Sequence, residues 1–318
     1  MPFLNLHNIS TKGLSLFLPN NYNIYIAKTL VKVVKLMINP QNALFFLALV
    51  AVLWSSGGVM IKSVAWPPLA IAGLRSLIAA AVIWLAFRKE RLHFSRIQLA
   101  GAVAYCGMVT SFVTATKLTT AANAILLQYT APIYVALLSG WLLREKVTRR
   151  DVLTIGVVFG GMIFFFLDKV STGGMLGNIL GIVSGISFAL FVIFTRMQKD
   201  HAPFGSVLLG NILTFFLSLP VLPDITFTVF NLAIISVLGV FQLGLAYVIY
   251  SYAIRHVRAL EATLITSIEP ILNPIWVFLF LGEIPGPYSL IGGAIVLFAV
   301  IGGYFFDAYK SKIDTPAG

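Results

Sequence analysis

The sequence predicts an all-α integral membrane protein, with ten transmembrane helices arranged as two inverted five-helix repeats. Three observations lead there: apolar runs that follow one another almost without interruption, a one-sided distribution of lysine and arginine, and an internal repeat at a shift of 138 residues.

The apolar runs set the fold class. Of 318 residues, 59% are hydrophobic and 10% charged, with a mean hydropathy of +0.94. Soluble domains carry about 25% charged residues. From Ala43 onward the runs cover 43–64, 69–87, 97–116, 120–143, 150–168, 174–195, 204–221, 228–254, 258–281 and 288–308. Each is long enough to cross a bilayer as a helix. Backbone groups in hydrocarbon must pair internally, which with runs of this length means helices rather than barrel strands. The single cysteine, Cys106, lies mid-span, cannot form an intramolecular disulfide and reads as a small core hydrophobe.

Charge placement sets the topology. A net charge of +11 invites a nucleic-acid reading, but 18 of the 22 lysines and arginines fall on one side if the N-terminus is cytoplasmic. Only Lys62, Lys117 and Lys169 fall on the other, and Arg75 lies inside a span. This satisfies the positive-inside rule with both termini cytoplasmic, and it excludes nucleic acid as the partner in favour of the lipid bilayer. The extension 1–42 contains "IYIAKTLVKVVKLM" (24–37). It reads either as a basic surface helix on anionic lipid or as an over-called start, with translation beginning at Met37. It lacks a clear cleavage site for a signal peptide. Residues 309–318 form a cytoplasmic tail.

The repeat sets the symmetry. A shift of 138 aligns "AANAILLQYTAPIYVALLSGWLLREKV" (121–147) with "ALEATLITSIEPILNPIWVFLFLGEIP" (259–285), bringing Pro132 onto Pro270 and Glu145 onto Glu283. A shift of 134 places Trp54 on Phe188 and Lys62 on Arg196, and one of 136 places Arg75 on Asn211. The halves are therefore 43–168 and 174–308. Five spans is an odd number, so the second half enters from the opposite side. The basic loop "RKERLHFSR" accordingly corresponds to "PDITFT", which has no basic residue. Inverted repeats recur in secondary transporters, with substrate near the midplane between halves that rock against each other.

The motifs "LWSSGGVMIK" (53–62), "GLRSL" (73–77), "QYTAPIYVALLSGWLLREKV" (128–147), "SIEPILNPIWVFLFLGE" (267–283) and "LIGGAIVLFAVIGGYFF" (290–306) together resemble the EamA-type transporters of the drug/metabolite transporter superfamily. The resemblance covers about 43–306. It implies an inner-membrane secondary transporter of small metabolites, commonly an exporter of amino acids or related compounds, working by alternating access around a midplane cavity. It does not fix the substrate.

Within the spans, two ionisable residues stand out, Arg75 and Glu269. Such residues cost about 2.5–3.5 kcal/mol or more at a helix centre and normally face a partner or a cavity. Glu269 lies about 15 Å into its span and Arg75 about 9 Å into its own, within a core about 30 Å thick. Three readings stay open for Glu269: a structural ion pair with Arg75, a cavity-facing group that binds a cation or a coupling proton, or a group bonded to neighbouring backbone.

The prolines point to irregular backbone beside it. Pro270 cannot bond the carbonyl of Thr266, Pro274 cannot bond that of Pro270, and Pro132 leaves the carbonyl of Gln128 free. Such backbone is tolerated at mid-depth where it lines a cavity. Thr266, Glu269 and Asn273 follow i, i+3, i+7 spacing and should form one polar stripe. Trp54, Ser55, Ser56, Tyr105, Tyr129, Tyr134, Gln242 and Tyr247 are further binding candidates, though each also reads as a helix–helix contact. Glu145 and Glu283 end equivalent spans, where a carboxylate opposes the helix dipole, so each calls for a specific donor, either at a gate or at the interface. The glycines of "GVVFG" (156–160) and "GGAIVLFAVIGG" (292–303) suit tight packing, as scaffold or as a homodimer contact through spans 5 and 10.

A membrane-embedded enzyme or a non-transporting scaffold is the alternative. The four histidines lie outside the spans, no second carboxylate sits at the depth of Glu269, and there is no phosphate-binding G-x-x-x-x-G-K-[ST] stretch. Neither a cofactor nor a metal is expected, and the driving force would be an ion gradient or the substrate's own.

Overall fold

The computed structural model describes residues 37–302 except 93, 120, 169–173, 282–286, 289, 290, 293, 297, 300 and 301. The N-terminal extension before residue 37, Glu283 and the tail lie outside the described residues, as do the side chains of Asn273 and Pro274.

All regular structure among the described residues is helical. The helices are α1 (Ala43–Ser55), α2 (Gly57–Ser63), α3 (Pro68–Phe87), α4 (Arg96–Leu118), α5 (Ala121–Gln128), α6 (Ala131–Leu142), α7 (Arg149–Asp168), α8 (Met175–Met197) and α9 (Pro203–Ser218). They continue with α10 (Val229–Ala253), α11 (Ala259–Thr266) and α12 (Glu269–Leu281). Seven stretches among the described residues are long and apolar enough to cross a membrane: Ala43–Ser63, Pro68–Phe87, Arg96–Leu118, Ala124–Leu142, Met175–Met197, Pro203–Pro223 and Val229–Ala253. The chain is thus a multi-pass membrane protein. Of the other three expected spans, 258–281 is divided into two short helices and 288–308 is described only in part.

Local chemistry explains the helix starts. Proline occupies the first turn of α3 and of α9, where its missing N–H removes no bond. The Ser95 hydroxyl accepts from the Gln98 N–H at 3.1 Å to cap α4, and Thr228 does the same for α10 from the Asn231 N–H at 3.1 Å. Interruptions inside the spans are equally local. The α1–α2 bend at Ser56 follows two serines that bond back to the carbonyls of Val52 and Leu53, at 2.7 and 2.9 Å. Within α10, Leu238–Leu245 winds as a π-helix, an irregularity often found at functional sites.

The 138-residue shift holds for the backbone. α5 starts at 121 and α11 at 259, they end at 128 and 266, and α6 and α12 resume at 131 and 269. Both spans therefore break at the same two positions, Tyr129–Thr130 and Ser267–Ile268.

Packing repeats the symmetry. α4 packs on α8 as α10 packs on α1, and α4 on α9 as α10 on α3. α5 and α6 lie on α8 as α11 and α12 lie on α1, while α3 and α9 pack on each other. The halves interlock rather than sit side by side. An aromatic cluster of Trp54, Tyr105, Phe191, Tyr247 and Tyr250 is buried where they meet. Large apolar side chains such as Phe45, Trp84, Val103, Phe216 and Phe230 face outward, as lipid contact requires. Of the expected packing glycines, Gly156 and Gly160 have nothing within 4 Å of a Cβ, and the close contact falls instead on their neighbour Gly161, against Gly292. A Cβ on Gly161 of α7 would lie 2.8 Å from Val296 and 3.0 Å from the Gly292 carbonyl.

Candidate functional site

The break between α11 and α12 is closed by a side chain from the other half. Pro270 donates nothing to the Thr266 carbonyl, and the Tyr129 hydroxyl takes that place at 2.7 Å. The same hydroxyl lies 2.7 Å from Oε2 of Glu269, which is buried at the first position of α12. Of the expected polar stripe, the side chain of Asn273 lies outside the described residues. The Thr266 hydroxyl turns back onto its own helix, to the carbonyls of Ala262 and Thr263 at 3.0 and 3.1 Å. Its backbone carbonyl, not its side chain, serves the site.

The structural ion pair is also corrected. Arg75 donates from Nη1 to Oε1 of Gln242 at 3.1 Å, and no ion pair joins it to Glu269 among the described residues. The reason is geometric. Arg75 on α3 is held by the π-helical part of α10, and Glu269 by Tyr129 at the α5–α6 break, on the wall of the same cavity. The repeat position of Arg75 is Asn211 on α9, which receives the Tyr105 hydroxyl at 3.1 Å. Two equivalent helix contacts thus carry unlike pairs, Arg75–Gln242 and Tyr105–Asn211.

Six of the sequence candidates meet around one cavity of about 30 Å³: Trp54, Arg75, Gln128, Gln242, Tyr247 and Glu269. Met108, Val109, Phe112, Phe188 and Leu243 complete its wall. Tyr105 lies behind Tyr247, with ring centres 5.0 Å apart. Tyr134 is half-buried on α6 and does not line the cavity.

The break between α5 and α6 is closed differently. A Cβ on Gly185 of α8 would meet the carbonyls of Leu127 and Gln128 at 2.9 Å, so only a glycine lets α8 approach this closely. The Gln128 side chain donates to the Ser184 hydroxyl at 2.8 Å, and Ser184 donates to the Met108 carbonyl at 3.0 Å.

Glu145 has the donors its position called for. Oε1 accepts from Arg196 Nε at 2.8 Å, and Oε2 from the Ala259 N–H that opens α11 at 2.9 Å. Arg196 also holds the carbonyls of Ile254 and Arg255, at 3.1 and 2.8 Å. Arg258 reaches Asp151 at 3.2 Å and Glu261 at 2.8 Å. In the same loop, burial and the charges of Arg255 and Arg196 hold His256 below the ordinary histidine range. At the opposite end Lys62 and Lys117 donate to backbone carbonyls, those of Thr119 and Val64. Neither is paired with a carboxylate among the described residues.

Sequence reasoning missed Ser184 and Met108 as site residues. Nothing in a serine or methionine inside an apolar run distinguishes it from a packing residue.

Comparison with known families matches residues 41–167 and 175–304 to the EamA-like transporter family. A protein named an uncharacterized transporter in Archaeoglobus fulgidus is 28% identical over 263 residues, covering 80% of this chain and 93% of that protein. The threonine/homoserine exporter RhtA of Escherichia coli strain K12 is 24% identical over 281 residues, covering 83% of this chain and 92% of the exporter. One solved crystal structure superposes with a TM-score of 0.72 at 17% identity, covering 84% of this chain and 97% of that one, which is a likeness of fold.

Proposed function

Because the chain belongs to the EamA-like transporter family, we propose that it is a secondary active exporter of small metabolites such as amino acids, driven by protons. In this reading ten spans form two inverted halves, 43–168 and 174–308, in the inner membrane with both termini cytoplasmic. The charge asymmetry of the loops supports that orientation, and the mated helix pairings support the inversion.

One observation carries the proton role. The Tyr129 hydroxyl has a single proton and lies 2.7 Å from two oxygens, the Thr266 carbonyl and Glu269. An ionised carboxylate is acceptor-only, so it competes with the carbonyl for that proton. A protonated Glu269 donates to the Tyr129 oxygen and leaves the Tyr129 proton for Thr266. Every partner is then satisfied. Proton loss therefore sets the carboxylate against the carbonyl that Pro270 has freed, and links the proton to the geometry of the break.

The cavity supports alternating access. At about 30 Å³ it has room for about one or two waters and none for a metabolite, so substrate entry requires the halves to part. Glu145, Arg196 and the start of α11 tie spans of both halves together at the cytoplasmic end, as a gate would. The equivalent role of Glu283 at the other end follows from the repeat.

Reconstitution into liposomes tests this reading. Counterflow of threonine, homoserine or a wider amino-acid panel is expected, faster with an acidic exterior. Absence of flux for every metabolite class, together with lipid-modifying activity, would overturn it in favour of a membrane-embedded enzyme.

A further inference from the structure

Two donors are left over at the cavity. Arg75 is 1% exposed, and its guanidinium makes one hydrogen bond, from Nη1 to Gln242. Its Nε N–H has no acceptor, and neither does the indole N–H of Trp54, which is 6% exposed. Buried N–H groups without an acceptor are rare, and leaving one unmade is unfavourable. Both side chains line the same cavity.

Water would satisfy the donors but not the charge. A cavity of this size admits one or two waters, which can accept from both N–H groups but cannot neutralise a buried guanidinium. Glu269, on the same cavity, is engaged by Tyr129 and forms no ion pair with Arg75. No carboxylate among the described residues bonds the guanidinium directly, and the charge of Glu269 reaches it only across the cavity.

We infer that Arg75 and Trp54 form the receptor for a carboxylate on the transported molecule. The inference rests on reading the chain as a transporter. A guanidinium presents a planar fork of donors that matches a carboxylate, and the indole N–H adds one donor that phenylalanine would lack. The rest of the wall includes Phe112, Phe188 and Leu243, so the molecule carries an apolar body beside its acid group. Purely cationic compounds and neutral ones lack the partner the site is missing.

The test compares acids with their own amides on the purified, full-length wild type. The probes are leucine, phenylalanine and 4-methylpentanoate against leucinamide, phenylalaninamide and 4-methylpentanamide, read by thermal stabilisation and by counterflow in liposomes. Each acid is expected to bind at least about tenfold more tightly than its amide. Arg75→Gln should bring that ratio close to one, and Trp54→Phe should reduce it while keeping the aromatic packing. Equal binding of acids and amides, no binding of any acid, or an unchanged ratio in Arg75→Gln would each overturn the inference. The wild-type comparison stands even if a variant fails to fold. If amides cross as readily as acids, the carboxylate receptor fails and the transporter reading survives. If no solute crosses, the transporter reading fails.

Discussion

The two helix breaks share a backbone and differ in chemistry. Both interrupt a span just before a proline at equivalent positions, Pro132 and Pro270, so the interruption belongs to the repeat. At Tyr129–Thr130 it is sealed by close packing: Gly185 brings α8 against the carbonyls of Leu127 and Gln128, and the Gln128 side chain is held by Ser184. At Ser267–Ile268 it is sealed by one hydroxyl shared between a carbonyl and a carboxylate. Tyr129, which closes the second break, is itself part of the first. The repeat counterpart of Tyr129 is Ser267, whose hydroxyl reaches only the Thr263 carbonyl in its own helix, at 3.1 Å. The same architecture therefore yields one joint closed by packing and one closed by a hydroxyl shared with a carboxylate.

The contrast can be broken from either side. The largest effect is expected from Tyr129→Phe, which strips both acceptors of their donor at a cost of about 1–3 kcal/mol for each buried group. Proton-driven flux should fall by tenfold or more, whereas Ser267→Ala at the equivalent position should leave it near wild type. Gly185→Ala should lower thermal stability by about 1–3 kcal/mol through overpacking, with the pH dependence of the remaining flux unchanged. Glu145→Gln weakens a charged contact worth about 1.5–3 kcal/mol when fully formed, here partly exposed and so worth less. It should speed exchange from the cytoplasmic side more than it lowers the unfolding temperature. Ser184→Ala should cost about 1–2 kcal/mol in thermal unfolding, because that hydroxyl accepts from Gln128 and donates to the Met108 carbonyl. Thr266→Val should be the mildest, within about 0.5 kcal/mol, because that hydroxyl bonds only its own helix. A strong transport defect in Thr266→Val would instead assign its hydroxyl to the polar stripe expected from spacing.

Much of this was legible in the sequence, and the limits have physical causes. Proline chemistry is local, so Pro132 and Pro270 pointed to irregular backbone just before them, whereas Pro274, also expected to break its helix, lies inside the continuous α12. Glu269 and Arg75 stood out because a charge in hydrocarbon needs a reason. Their partners did not follow, because the partner of a buried side chain depends on how helices rotate against one another. The nearest charge in depth to Arg75 was Glu269, yet its observed partner is Gln242, on a π-helical turn that spacing alone does not reveal. Tyr129 and Tyr134 looked equivalent in one span, but the first falls in the break and reaches across, while the second lies away from the cavity. The α1–α2 bend was likewise unforeseen, since Ser55 and Ser56 could as well have faced the site. Instead they bend their own helix, and Ser55 also receives the Trp276 indole N–H at 2.7 Å, fixing α12 to that bend.

In the proposed mechanism Glu269 carries the proton that drives transport. The most direct test is Glu269→Gln in liposomes, assayed with and without a pH gradient. The amide can donate to Tyr129 as the protonated acid does, so the protein should fold and exchange substrate at equal pH on both sides. An acidic exterior should accelerate export in the wild type and have no effect on the variant. Gradient-driven export that persists in Glu269→Gln would contradict the account.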